Sequence, residues 1–107
     1  MCMGYSLGNA GMRMRTMDLM LLRQLLRHGE RCSGELAREA EKYTAQAETF
    51  GLILPLLWKL QKHGLIQARW IAVEQRQRKQ YRLTEAGVAA YQEGICEIEL
   101  LLRELRV

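Results

Sequence analysis

The chain has 107 residues, 49% hydrophobic and 26% charged, with a formal net charge of +4. That length supports one domain with one modest core. No apolar run approaches the roughly 20 residues of a membrane span, so a soluble cytoplasmic protein is expected. Cys2, Cys32 and Cys96 are an odd, scattered set without a CxxC pair, and His28 and His63 stand at no metal-ligand spacing. Reduced thiols, no disulfide scaffold and no metal site are expected. The charge is uneven: residues 51–83 carry +6, whereas residues 84–107 carry −3.

In chain order, residues 1–15 contain glycines and methionines without a period and read as an N-terminal tail. Thr16 reads as the cap of a first helix, with Asp18 adding negative charge to its first turn. Leu19, Leu22 and Leu26 supply one apolar face, and Gly29 ends the helix. Ser33 reads as the cap of a second helix whose inner face is Leu36, Ala37 and Ala40. Residues 44–48 read as a connection. A third helix spans roughly Gly51 to His63, with Thr49 as its cap and Pro55 in its first turns, where a missing N–H costs least. Its buried stripe is Ile53, Leu56, Leu57 and Leu60, its stop is Gly64, and Leu54 and Trp58 are expected to pack against its neighbours.

A hairpin follows over residues 67–83. Ile66, Ala68, Trp70 and Ala72 alternate with polar or outward positions, which places Trp70 in the core. The tip around Glu74–Gln77 has no Gly, Pro, Asn or Asp, so a wide or mobile turn is expected. Arg69, Arg76, Arg78, Lys79 and Arg82 crowd this hairpin against Glu74 alone. Thr84 then caps a last helix in which Val88, Tyr91, Ile95, Ile98, Leu102 and Leu105 recur at alternating intervals of three and four. This is a heptad seam. A helix of about 20 residues rises about 30 Å, more than so small a domain covers alone, so the seam predicts a homodimer, with Gly94 allowing close approach there.

These elements describe a mainly α protein with a small β-hairpin. The expected architecture is a winged helix-turn-helix over residues 16–83 plus a long C-terminal dimerisation helix over residues 84–107. In such folds the helix before the wing enters the major groove and the wing reaches the neighbouring backbone. Lys59, Lys62, Arg76, Arg78 and Lys79 are therefore expected to hold phosphates of double-stranded DNA, with Thr49 bonding a phosphate at the helix start. Catalytic signatures are absent, so neither an enzyme nor a cofactor is expected. A second reading is a protein-interaction module on the same scaffold. It rests on Leu52, Leu54 and Trp58, which stand where base-reading side chains belong. A third is a small-molecule effector site at Trp58 or Trp70.

The run FGLILPLLWKLQKHGLIQARW, followed by RKQYRLTEAG, resembles the PadR-like transcriptional regulators. Gly51, Pro55, Leu57, Leu60, Gly64, Leu65 and Ile66 carry the first part of the resemblance. Tyr81, Arg82, Leu83, Thr84, Glu85 and Gly87 carry the second, and Ser33-Gly34-Glu35-Leu36 resembles the family's second-helix start. The likeness covers about residues 17–93. It implies a dimeric bacterial repressor in which one terminal helix makes the dimer. Leu52 and Leu54 stand where the family presents Thr and Tyr to DNA, and the wing lacks the family's usual Gly and Pro.

Overall fold

The computed structural model describes residues 14–43 and 49–106, apart from the side chains of residues 49 and 50. Most of the expected tail, and the connection at residues 44–48, lie outside that set. Helix α1 (Thr16–His28) buries Leu19, Leu21, Leu22 and Leu25. Leu26, read as part of the apolar face, is exposed, because Leu21 and Leu25 take the core side instead. Thr16 is the first helical residue rather than the cap. The Arg15 N–H closes the start by donating to Asp18 Oδ2 at 2.9 Å. Gly29 stops the helix with a positive φ of 78°, and its N–H donates to the Leu25 carbonyl at 3.0 Å.

A two-residue strand, β1 (Arg31–Cys32), leads into α2 (Ser33–Ala40). The Glu35 carboxylate accepts the Cys32 N–H at 3.1 Å, so Cys32, not Ser33, is the cap. That hydrogen bond, aided by Arg31, lowers the Glu35 pKa against an opposing effect of burial. Leu36, Ala37 and Ala40 form the inner face as expected. A 3-10 turn covers Glu41–Tyr43. Helix α3 (Thr49–Lys62) starts earlier than the sequence suggested, so Pro55 lies in the helix interior rather than its first turn. Ile53, Leu57 and Leu60 are fully buried. At the end of α3, Gly64 has φ 73°. The Leu65 N–H donates to Leu60 O and the Gly64 N–H to Gln61 O, both at 3.0 Å, a Schellman closure.

Strands β2 (Ile66–Val73) and β3 (Arg76–Leu83) pair antiparallel from Ile66↔Leu83 to Val73↔Arg76. The connection is therefore the two residues Glu74 and Gln75, at φ 51° and 65°. This corrects the expected wide tip. Two non-glycine residues are held in left-handed conformations, at a cost of roughly 1 kcal/mol each, because an eight-residue ladder on each side fixes the turn. The sheet also has a third strand the sequence did not reveal. β1 pairs with β3 at Arg31↔Tyr81 and Cys32↔Gln80, giving the order β1-β3-β2.

The inward alternation on β2 holds only at its base. Ile66 is buried and Ala68 half-buried, but Trp70 is 65% exposed. Trp70 does share their face, as the alternation requires. The ribbon simply extends past the helices, so that face has nothing left to pack on.

One junction ties the ends together. The Thr84 N–H donates to the Leu65 carbonyl at 3.1 Å, and Thr84 Oγ1 donates to the Gly64 carbonyl at 2.6 Å. The same hydroxyl accepts the Gly87 N–H at 3.0 Å, capping α4 (Glu85–Leu105). A Cβ on Gly87 would fall 2.1 Å from the Leu65 carbonyl oxygen.

The buried residues of α4 are Gly87, Ala90 and Gly94. A Cβ on Gly94 would meet Leu19 Cδ2 at 2.5 Å, so the close approach it permits is to α1 of the same chain, not across a dimer seam. Val88, Tyr91, Ile95 and Ile98 are half-buried, and Tyr91 packs against the core cluster. Leu102 and Leu105 are 41% and 77% exposed, as are their neighbours Leu100 and Leu101 at 40% and 61%. Cys32 is a buried free thiol. Cys96 is disulfide-bonded, so the reduced reading fails for it.

Gly87→Ala is expected to lower stability by about 2 kcal/mol. The helix-propensity gain of about 1 kcal/mol is outweighed by displacement of the Leu65 carbonyl. Urea unfolding followed by circular dichroism measures this; unchanged or higher stability would show that the junction tolerates a side chain.

Candidate nucleic-acid interface

The cations of residues 51–83 separate into two groups. Lys59 Nζ donates to Asp18 Oδ2 at 2.9 Å, and Arg69 Nη2 donates to Glu30 Oε2 at 2.8 Å. Among the described residues, Lys62, Arg76, Arg78, Lys79 and Arg82 form no ion pair within 4.0 Å. Arg82 instead donates to Gln67 Oε1 from Nε at 2.9 Å and from Nη2 at 2.7 Å. The wing's net positive charge is thus mostly uncompensated, and Arg76 and Arg78 are exposed.

Lys59 is the expected phosphate contact that the structure redirects. Asp18 is fully buried, and its Oδ2 receives both the Arg15 N–H and the Lys59 ammonium. Its Oδ1 has no partner among the described residues. A buried carboxylate with one open oxygen holds its one cation tightly, because losing that cation strands the charge. Lys59 therefore fastens α3 to α1. The two residues are 41 positions apart, and no local pattern signals the pair.

The remaining predicted residues are not on one surface. In the ladder, Arg76 and Arg78 stand opposite Val73 and Ile71 on one face of the wing. Lys79 stands opposite Trp70 on the other face. Its ammonium lies 5.9 Å from the Trp70 ring centre and 5.8 Å from that of Tyr81. Lys62 is exposed on α3, with its ammonium 5.0 Å from the Trp58 ring centre. Thr49 begins α3, but its side chain lies outside the described set.

Between α3 and the wing lies an open groove of about 490 Å³. Leu54, Trp58 and Gln61 line it from α3, and Trp70, Lys79 and Tyr81 line it from the wing. The expected packing of Leu54 and Trp58 against the helix's neighbours is not met. They are 40% and 64% exposed, and Leu52 is 42% exposed, because Ile53 and Leu57 already occupy the core side of α3. Cys32 sits at the back of the groove. Burial, reinforced by the Glu35 carboxylate, raises its thiol pKa, so it stays neutral at neutral pH. Sequence reasoning named Trp58 and Trp70 as alternative effector sites but did not bring them into one groove. The cross-strand pairing of Trp70 with Lys79 could have shown it once the two-residue turn was known.

The combination of a helix ending in Gly64, a basic wing and the Thr84–Gly87 junction matches a known family over most of the chain. The Transcriptional regulator PadR-like family matches residues 19–93. The chain belongs to this family. Solved PadR-family structures share its fold. A padr family transcriptional regulator from Eggerthella lenta DSM 2243 superposes with a TM-score of 0.74 at 22% identity, over 84% of this chain and 78% of that one. A PadR family transcription regulator from Clostridium difficile R20291 gives 0.72 at 16% identity, over 85% of this chain and 95% of that one. Bacillus subtilis PadR, solved in complex with operator DNA, gives 0.65 at 26% identity, over 78% of this chain and 48% of that one. No curated protein matches the chain. The PadR-like fold accounts for the winged helix and the long terminal helix. Among the described residues no cluster of His, Cys, Asp or Glu could hold a metal, and no helix is long and apolar enough to cross a membrane.

Lys59→Met is expected to lower stability by about 3 kcal/mol, because the buried Asp18 carboxyl loses its cation and keeps only the Arg15 N–H. Lys62→Met removes only a surface contact to Trp58 and is expected to cost less than about 1 kcal/mol. Denaturant midpoints of the two variants check the difference; equal midpoints would show that Lys59 is not a structural cation.

Proposed function

We propose that this PadR-like regulator is a dimeric repressor that binds double-stranded DNA with its wing and α3. The observation that carries the reading is the pair Arg76 and Arg78, exposed on one face of the wing and without carboxylate partners among the described residues. Such cations gain by displacing counterions from phosphates. Lys62, Lys79 and the start of α3 at Thr49 would add phosphate contacts, while Lys59 contributes by positioning α3. The operator complex of Bacillus subtilis PadR supports this reading by likeness of fold. Replacing Arg76, Arg78 and Lys79 together by Ala is expected to weaken binding to duplex DNA. The slope of log affinity against log salt should fall by about one unit per lost contact. An unchanged slope would remove the wing as a phosphate site.

The dimer is proposed on α4. Its distal half exposes Leu100, Leu101, Leu102 and Leu105, while Val88, Tyr91, Ile95 and Ile98 lie half-buried nearer the core. An apolar helix end in water favours association with a second copy. A two-fold dimer would set two wings about one DNA turn, roughly 34 Å, apart. Leu102→Glu with Leu105→Glu changes positions that are exposed in the single chain, so folding should survive. Sedimentation is expected to shift from dimer to monomer; a folded dimer would exclude this seam.

A second reading is favoured by one observation. Leu52, Leu54 and Trp58 together expose apolar surface on α3 where base-edge donors would be needed. A protein partner on that surface would leave duplex binding weak and non-selective.

A further inference from the structure

The groove between α3 and the wing has features that duplex recognition does not use. Trp58 and Trp70 are 64% and 65% exposed, so most of each indole surface is open to solvent. A lysine ammonium stands near each ring, Lys62 at 5.0 Å and Lys79 at 5.9 Å from the ring centres. Arg78 edges the groove, Gln61 and Gln77 bring amides to it, and no Asp or Glu lines it among the described residues. Stacking surface, adjacent cations and amide donors and acceptors together suit a polyanion carrying flat aromatic groups.

We infer that this groove binds single-stranded DNA, taking an unstacked base against Trp58 or Trp70 with its phosphates on Lys79 and Arg78. The decisive point is which part of a base is accessible. In a duplex the base faces are covered by their neighbours and only edges are offered in the grooves. The edge-reading capacity of α3 is poor here, since Leu52, Leu54 and Trp58 occupy its exposed side. Exposed indoles gain nothing from a stacked duplex but contribute strongly when a base is free, and they do so with little sequence preference. The charge sign excludes an acidic groove's partners, and the aromatic surface adds a contact that free phosphate could not use. This inference rests on the nucleic-acid reading of the wing. It leaves Arg76 to duplex phosphates alone and gives Arg78 and Lys79, which line the groove, the phosphates of an unpaired strand as well.

The test uses the whole chain and two probes of equal length, an oligothymidylate of about 15 nucleotides, within the range of single-strand sites, and a random-sequence duplex. Binding is read at about 50 mM salt by anisotropy and by tryptophan emission, which comes from two residues only. The single strand is expected to quench emission. Trp58→Leu or Trp70→Leu should weaken it about tenfold, the scale of one lost stack, and change duplex affinity by less than about twofold. Both positions are exposed, so the variants should fold. Duplex binding without single-strand binding would overturn the inference and leave the proposed regulator intact. So would single-strand affinity that survives loss of both indoles, or equal loss on both probes. Binding of neither probe would overturn both readings.

Discussion

The carbonyl of Leu65 is the point on which the arrangement of this winged helix depends. It accepts the Thr84 N–H at 3.1 Å, and the backbone of Gly87 passes so close that a Cβ there would sit 2.1 Å from its oxygen. That approach joins the end of α3, the root of the wing and the start of α4 within a few residues. The Thr84 hydroxyl completes the junction by donating to Gly64 and accepting from Gly87. Each buried polar group there has a partner, which is the condition for such a joint to be rigid rather than costly. The direction of the wing and the direction of the terminal helix follow from one shared contact.

A second tether holds the last turn of α3. The Asp18–Lys59 pair joins α1 to α3, with the carboxylate fully buried and the lysine partly exposed. Buried pairs contribute less to net stability than their geometry suggests, but removing one member is expensive. The pair therefore acts mainly as a constraint on how α3 sits against α1. Its consequence for charge is direct: a cation that composition counts toward DNA is neutralised within the fold. Arg69 is similarly engaged with Glu30 and Gln80 at the wing base. Among the described residues of 51–83, the positive charge outside ion pairs is left on Lys62, on Arg82 at the wing root and on the distal wing.

The wing itself is a two-sided ribbon. Strict alternation puts Arg76 and Arg78 on one side and Trp70, Lys79 and Tyr81 on the other. Tyr81 is buried at the root, where β1 and the helices cover it, and the burial raises its hydroxyl pKa. Two residues of β2 further out, Trp70 has left that cover. The same side of the ribbon is thus core at one end and open groove at the other. The two left-handed residues at Glu74 and Gln75 keep the strands paired to their ends, so both sides remain defined as far as the tip.

Much of this was legible in the sequence. Helix faces with a period near 3.6, glycine stops at Gly29 and Gly64, the alternating hairpin and the Leu-Thr-Glu-x-Gly junction gave the winged helix, its family and the basic wing. These are local properties, carried by neighbours within a few positions of one another. The misreadings share one cause, since each depended on residues distant in the chain. Lys59 was assigned to phosphate because Asp18 lies 41 positions away. Trp70 was placed inside because alternation names a face but not how far the helices extend beneath it. Gly94 was given to a dimer because Leu19 of α1 cannot be seen from α4. The tight turn was dismissed on its own residues, although eight ladder residues on either side outweigh two strained ones. The sequence by itself determined the elements, their order and their charge. Tertiary structure alone decided which cations are free and which aromatics are exposed, because burial and ion pairing are set by distances between elements and not by spacing within them.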